Sequence, residues 1–584
     1  MKYALEERIG NPELFVGRKK ELAFFLKWID DIKGKKSKST AILARRKMGK
    51  TALTERLYNI TFDKNDGVIP FYYEVKEAPM WAGDFCKGFF LTFIYQYMAF
   101  KSRKPEYLIS AGKSDFNLAI DHAKNEGLDY LIDYIKDAAH AYTHESVDIL
   151  WDIARNAPRD IAVGQGEFIV QIIDEFQFIN DKIYRDKALI HPAKDFAGGY
   201  LSTAESKVAP LLVSGSWVGW LMNLLIMLLP ARFIYRPLGN MPEDEAIEMI
   251  FKYSRFFETP VTEETAFLIS QFTEGSPFYI SAILRSPYEG KDLTTIDGLI
   301  QTMQYETTYE WGEIKSTWME YVNTAFSRVN EKNAKNVVLY LCKHRDREVT
   351  RKELLDTLHL DMTDAELEAK LKALVKADII KQGTSNFDYR GVPDNFFDKV
   401  FRSVYQKEIE SFDPAEIKKE FNDSSKEYEK KYLSLLGKHN RQKGYFAEYV
   451  ILDQLMFHGR RKNALLKSVT RNLPTDFDFS QYSSVWKYSI VSEYSREMKI
   501  DILARAKTAG SYSIIGEVKS RDIKKFSLEE AVSFLEKFEI VKAKESLSPV
   551  IGFVFSWNGF SREAELFLIE HGIAYSEDEQ WLDM

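Results

Sequence analysis

A multidomain α/β protein is what this sequence predicts, and three features lead to it. Apolar, strand-like runs alternate with amphipathic segments over the first 235 residues. A Gly-Lys-Thr turn lies between one such run and a helix. The last 149 residues change to a helix, three strand-like segments, a second helix and a further strand. Buried strands alternating with helices indicate a parallel sheet with helices on its faces.

The 584 residues correspond to roughly three to five domains at about 150 residues each. Ordinary apolar content (45%) and mixed charge exclude disorder as the main state. The net charge of −7 excludes a uniformly basic nucleic-acid binder but not a local basic face. Two distant cysteines, Cys86 and Cys342, exclude a disulfide scaffold or a Cys-rich zinc module and fit a reducing, cytoplasmic setting. The N-terminus carries charges where a signal peptide needs an apolar core. The longest apolar run, Trp217 to Ala231, is interrupted by Asn223 and Pro230 and is too short to span a membrane. A homo-oligomer is compatible with the sequence.

The elements follow in order. STAILA (39–44), GVIPFYYEV (67–75), EFIVQIID (167–174) and VAPLLVSGS (208–216) read as buried strands of a core domain spanning 1–236. Residues 237–325 read as a helical lid, opened by Pro-Glu-Asp-Glu at 242–245, a proline followed by acids in a first helical turn. Residues 326–408 give three helical patterns and a short β-type tail, the order of a winged helix. Acids Asp364, Glu366 and Glu368 on its third helix suit the helix dipole and oppose a phosphate-facing surface, favouring protein packing over duplex binding. Residues 409–435 form a charged linker helix, and 436–584 a C-terminal α/β domain.

Residues Ala44-Arg45-Arg46-Lys47-Met48-Gly49-Lys50-Thr51 fit the phosphate-loop pattern GxxxxGK[ST], with Ala44 in place of the first glycine. Backbone N–H groups of such a loop point at phosphates, Lys50 reaches the β and γ phosphates of a nucleotide, and Thr51 holds Mg²⁺. The apolar strand 168–173 runs into Asp174 and Glu175, which predicts a second Mg²⁺ ligand and a residue that polarises water. Ser216, at the end of the next strand, is positioned to sense the terminal phosphate. ATP and Mg²⁺ are therefore the expected ligands.

With these motifs, Phe15-Val16-Gly17-Arg18-Lys19-Lys20-Glu21-Leu22 and Gly275-Ser276-Pro277 occur in the order that resembles archaeal-type ATPases of the STAND branch of AAA+-like proteins, over about 1–320. The resemblance implies that Arg18 lies near the adenine and that Pro277 approaches the nucleotide from the lid. Arg232 and Arg236 lie where an arginine finger would be sought, and neither is assignable.

At the C-terminus, Glu448 lies on the helix GYFAEYVILDQL, Asp501 within Met-Lys-Ile-Asp-Ile-Leu, and Glu517-Val518-Lys519 closes the following strand. Glu517 and Lys519, two apart, share a face, and Gly510 marks the turn joining their strand to that of Asp501. Asp501 and Glu517 are expected to hold Mg²⁺, with Lys519 beside the attacking water. The segment resembles the PD-(D/E)xK nuclease superfamily, which includes restriction endonucleases. The resemblance implies a restriction-endonuclease-like fold in which Glu448, Asp501, Glu517 and Lys519 are catalytic. Residues 436–560 contain 20 Lys/Arg and 14 Asp/Glu, a balance of +6, and 561–584 one Arg and seven acids, or −6. The basic body suits phosphate backbones, and DNA is the favoured partner. The expected function is an ATPase coupled to a Mg²⁺-dependent nuclease, with defence against foreign DNA suggested by the domain combination. The alternatives are a signalling or scaffold ATPase whose C-terminal domain binds without cutting, and an ATPase acting on mobile DNA.

Overall fold

Runs of Ile, Val, Leu and Phe become the strands of a five-stranded sheet: β1 (Thr40–Leu43), β2 (Val68–Glu74), β3 (Phe168–Asp174), β4 (Leu211–Gly215) and β5 (Ile234–Pro237). In this computed structural model their order is β2-β3-β4-β1-β5, and every pair is parallel. The structure describes residues 4–110, 115–216, 218–328, 333–385, 387–392, 394–406, 414–491, 497–521 and 524–583. The chain forms two compact units, Met1–Tyr428 and Glu429–Met584. Four of the five strands lie within the apolar runs. β5 lies at the sheet edge with largely exposed side chains, so no apolar run marks it.

β2 is the other edge, and a helix covers it. Helix Ala82–Ser102 buries Phe89 and Phe93 against Phe71, with ring centroids 5.1 and 5.2 Å apart. From the same helix the buried Gln96 accepts from the Tyr72 N–H at 2.7 Å and donates to the Tyr72 carbonyl at 2.8 Å. One amide side chain thus does at Tyr72 what a neighbouring strand would do, satisfying both of its open backbone groups.

Five helices follow the sheet: Glu243–Phe256, Glu263–Thr273, Pro277–Arg285, Ile296–Thr308 and Glu313–Arg328. The first begins after Pro242 with three acids in its first turn. Then come helix Ala334–Lys343, β6 (Val349–Thr350), helices Arg351–Leu358 and Asp364–Lys376, β7 (Ile380–Gln382) and β8 (Asp388–Gly391). These strands form an antiparallel sheet in the order β6-β8-β7. Thr363 and Glu366 close a reciprocal cap at the start of Asp364–Lys376. The end of that helix packs against helix Val218–Leu228 so closely that a Cβ on Gly219 would lie 2.5 Å from the Lys376 carbonyl oxygen. One apolar core extends from Leu14 to Phe421.

The sequence suggests a linker helix separate from the helix of Glu448. The structure has one continuous helix, Pro414–Asp453. No proline and no left-handed residue interrupts it between 415 and 453, so nothing in the backbone forces a break. The C-terminal unit contains β9 (Tyr482–Val491), β10 (Glu497–Ala506), β11 (Ser513–Lys519), β12 (Val550–Ser556) and β13 (Ala574–Ser576), paired in that order. The first two pairings are antiparallel and the last two parallel. Each face has its own core. Ile502, Ile514 and Phe553 pack with Ala447 and Ile451, whereas Leu503, Ile515 and Val554 pack with Phe534 and Phe538 of helix Leu528–Lys544. Among the described residues no helix is long and apolar enough to cross a membrane.

Replacing Gln96 by Leu leaves the Tyr72 N–H and C=O unsatisfied under a buried helix. The expected cost is about 1–3 kcal/mol, read as faster amide hydrogen exchange along Val68–Glu74.

Candidate functional site

β1 ends in the phosphate loop, and the helix Lys50–Lys64 starts directly after it. The loop turns through two left-handed residues, Lys47 (φ 67°) and Gly49 (φ 78°). Ala44 is buried and lies outside the left-handed region, so alanine fits where the general pattern has glycine. Successive N–H groups of such a turn, followed by a helix N-terminus, favour an anion.

The parallel register brings the ends of β3 and β4 beside this loop. Thr51 Oγ1 donates to Asp174 Oδ2 at 2.6 Å. The buried Asp174 also accepts from the Glu175 N–H at 2.9 Å and from the Ser214 hydroxyl through Oδ1. Glu175 itself is left-handed (φ 54°), a turn that aims its carboxylate back over β4. That carboxylate accepts from the Ser216 hydroxyl, from the Ser216 N–H at 3.1 Å and from Gln177 Nε2 at 2.6 Å. Lys50 is buried, and its ammonium donates only long bonds, 3.3 Å to Ser216 Oγ and 3.4 Å to the Arg45 carbonyl. Burial lowers its pKa, opposed by the charges of Glu175 and Asp174. An anion beside it would supply what the site lacks. The hydroxyl of Thr51 and the carboxylate of Asp174 are hard oxygen donors of the kind Mg²⁺ takes.

A cavity of about 470 Å³, within the range of small-molecule sites, opens over this cluster. Arg46, Lys47, Gly49, Lys50, Thr51, Glu175, Ser216 and Pro277 line it. Pro277, the first residue of its helix, sits 3.8 Å from where a Cβ on Gly49 would lie. The cavity also collects Arg8, Ile9, Met249, Tyr253 and Arg285, which sequence reading did not select because they come from three separate places in the chain, none of them in a recognised motif.

Several predicted residues are placed otherwise. Arg18 is buried beneath the loop, donating to the Met48 carbonyl at 2.9 Å and the Gly239 carbonyl at 2.7 Å, while its own N–H donates to Glu245 at 2.6 Å. It clamps the loop to helix Glu243–Phe256 and does not line the 470 Å³ cavity. Arg45 points away from the 470 Å³ cavity into a second one of about 220 Å³, which Met48 also lines. There its guanidinium meets Asp378 at 3.0 Å and Asp394 at 3.2 Å and stacks 5.0 Å from the Trp318 ring. Arg46 pairs with Glu320 at 3.2 Å. Arg232 pairs with Glu205 at 2.9 Å, and Arg236 lies over the Phe24 ring at 4.1 Å.

In the C-terminal unit β10 and β11 set Asp501 and Glu517 side by side. Asp501 Oδ2 accepts from the Val518 N–H at 3.0 Å. Its pKa is raised by burial and by the Glu517 charge, while Val518, Lys519 and Lys487 oppose the rise. Lys519 donates to Glu517 Oε1 at 2.5 Å. A second ammonium, Lys537 from helix Leu528–Lys544, lies 3.4 and 3.5 Å from the two Glu517 oxygens. The sequence holds a signal for it, since Phe534, Lys537, Phe538 and Val541 fall on one helical stripe, which places a cation among core positions. Glu448 does not join this group. Its helix packs through Ala447 and Ile451 on one face of the sheet. Glu517 and Lys519 alternate in step with Ile515, which faces the other helices. Glu448 is paired with Lys487 instead. Among the described residues no three His, Cys, Asp or Glu side chains come together as a metal-binding group. The two carboxylates of Asp501 and Glu517 remain as oxygen donors for a divalent ion.

No family model matches the chain, and no curated protein matches it. Among solved structures it is similar to the Walker-type ATPase paby2304 of Pyrococcus abyssi, with 14% identity and a TM-score of 0.44 over 68% of this chain and 97% of that one. It is also similar to the Aeropyrum pernix ORC2 protein (12%, TM-score 0.37, 68% and 97%) and to the Thermotoga maritima RuvB branch migration motor (12%, TM-score 0.29, 70% and 99%). The functional reading rests on the geometry of the site itself.

One neighbour of the loop predicts a pH effect. Glu55, buried on helix Lys50–Lys64, has its pKa raised to about 7, chiefly by burial and against the Arg8 N–H that it accepts. The folded pKa exceeds the unfolded one, so the fold binds this proton more tightly. Stability on this account falls as pH rises from the unfolded carboxylate pKa to about 7 and stays low above it. Glu55→Gln is expected to raise the melting temperature at pH values above 7 and to leave it nearly unchanged near the unfolded pKa. Thermal melts across that range test the sign.

Proposed function

We propose that this protein binds and hydrolyses ATP in the cavity between the phosphate loop and Pro277. The observation that carries the reading is the convergence of Lys50, Thr51, Asp174, Glu175 and Ser216 at the ends of adjacent parallel strands. Lys50 binds phosphate oxygens with the ammonium that now makes only long contacts. Thr51 and Asp174 would hold Mg²⁺, which would supply charge stabilisation for phosphoryl transfer. Glu175 orients the attacking water once its bonds to Ser216 and Gln177 open, and Pro277 brings the lid to the nucleotide. Arg18 keeps the loop and lid in register rather than touching phosphate. The core (1–236), lid (237–325) and winged-helix segment (326–408) form a STAND-type ATPase on this reading.

Lys50→Ala is expected to abolish ATP binding, and Glu175→Gln to retain binding while turnover falls about 10²–10⁴-fold. Equilibrium binding of labelled ATP and phosphate release measure the two. Unchanged ATP affinity in Lys50→Ala removes the assignment.

A second reading, favoured by the Asp501–Glu517–Lys519 cluster, is that the C-terminal domain is a PD-(D/E)xK-type nuclease acting on DNA, with a role in defence against foreign DNA. Asp501 and Glu517 would hold Mg²⁺, Lys519 would orient or deprotonate the attacking water, and the +6 balance of residues 436–560 supports a phosphate-backbone partner. Glu448, held by Lys487, acts at most at one remove. Linear, plasmid and single-stranded DNA incubated with Mg²⁺ or Mn²⁺, with and without ATP, should be cut by the wild type and not by Lys519→Ala. Absence of cutting throughout favours a scaffold ATPase whose C-terminal domain binds only.

A further inference from the structure

Two cations and two anions meet where the end of β11 lies beside the middle of β10. Lys519 reaches one oxygen of Glu517 at 2.5 Å, and Lys537 straddles both at 3.4 and 3.5 Å. Asp501 lies alongside, tied to the Val518 N–H at 3.0 Å. Counting Asp501 and Glu517 against Lys519 and Lys537, the formal charge is zero. A divalent ion placed against both carboxylates would raise the cluster to +2 with both ammoniums still in place. That is unfavourable in a half-buried setting unless an ammonium leaves or an anion enters. Lys519 shares a strand face with Glu517 and donates to it at 2.5 Å, so it is the more firmly held of the two ammoniums. Lys537 comes from another element and makes only long contacts, so its four-carbon stem can swing away at little cost.

We propose that Lys537 is a positioning residue that competes with a divalent ion for Glu517, and that on displacement it turns to a phosphodiester oxygen of the nucleic acid. The proposal rests on the reading of Asp501 and Glu517 as metal carboxylates. It makes ion and backbone phosphate binding mutually dependent, because each phosphate brings the negative charge that the ion and the freed ammonium require. Divalent ion alone then binds weakly, and the site fills when nucleic acid is present.

The test uses the full chain without nucleotide, with Mn²⁺ binding followed by electron paramagnetic resonance, and Asp501→Asn defining the portion of binding that belongs to this site. Lys537→Met is expected to tighten that Mn²⁺ binding about three- to tenfold, with Lys537→Gln doing the same and Lys537→Arg staying near wild type. A phosphorothioate oligonucleotide should strengthen Mn²⁺ binding to the wild type and do so less in Lys537→Met. A merely structural lysine would weaken Mn²⁺ binding when removed. Unchanged or weaker binding in Lys537→Met and Lys537→Gln, with Asp501→Asn still abolishing it, overturns the role of Lys537 and leaves the two-carboxylate site standing. Mn²⁺ binding that ignores Asp501→Asn removes both.

Discussion

The carboxylate of Asp174 is the constraint on which the proposed nucleotide site depends. It is fully buried at the end of a central strand, and burial of a charge without partners is costly enough that such groups are rarely left unpaired. Here Thr51, Ser214 and the Glu175 N–H all donate to it. These bonds tie the first turn of the phosphate-loop helix to two neighbouring strands. The loop itself has two left-handed residues, and its position is set from one end by this network and from the other by Arg18.

Arg45 shows a second consequence of the same loop. A phosphate loop needs little from its variable positions beyond backbone N–H groups. That leaves their side chains available for other elements. Arg45 spends its guanidinium on Asp378 and Asp394, from the segment after helix Asp364–Lys376 and the one after β8. Asp394 is in turn held by Tyr279, from the helix that Pro277 begins. The loop, the lid and the antiparallel β6–β8 module therefore share one buried polar network within the N-terminal unit. Pro277 borders the 470 Å³ cavity and Tyr279 borders the second one, so one helix turn touches both.

The C-terminal unit follows a different rule. Its strands feed two cores, one on each face, and in β11 the alternation puts Glu517 and Lys519 on the face of Ile515. Asp501 and Glu517 meet because an antiparallel pair brings them into neighbouring positions. Lys537 joins from the helix packed on the Glu517 face. Glu448 pairs with Lys487, whose charge also acts on Asp501, so it stands one residue removed from the carboxylate pair.

How far the sequence reached can be judged from these residues. Local signals were legible: the apolar runs of β1 to β4, the Gly49-Lys50-Thr51 turn, the acids ending β3, and the two-residue spacing of Glu517 and Lys519. Each depends on neighbours a few positions away, and periodicity and turn chemistry report such neighbours directly. The exposed edge strand β5 and the unbroken helix Pro414–Asp453 were not legible, because one has no apolar run and the other has a charged composition that reads as a linker. Tertiary structure alone decided which long side chains meet. Arg18 goes to the carbonyls of Met48 and Gly239, Arg45 to acids more than 300 positions away, Glu448 to Lys487 and Lys537 to Glu517. A flexible charged side chain has several partners within reach of its stem, and only the packing of whole elements determines which one is near.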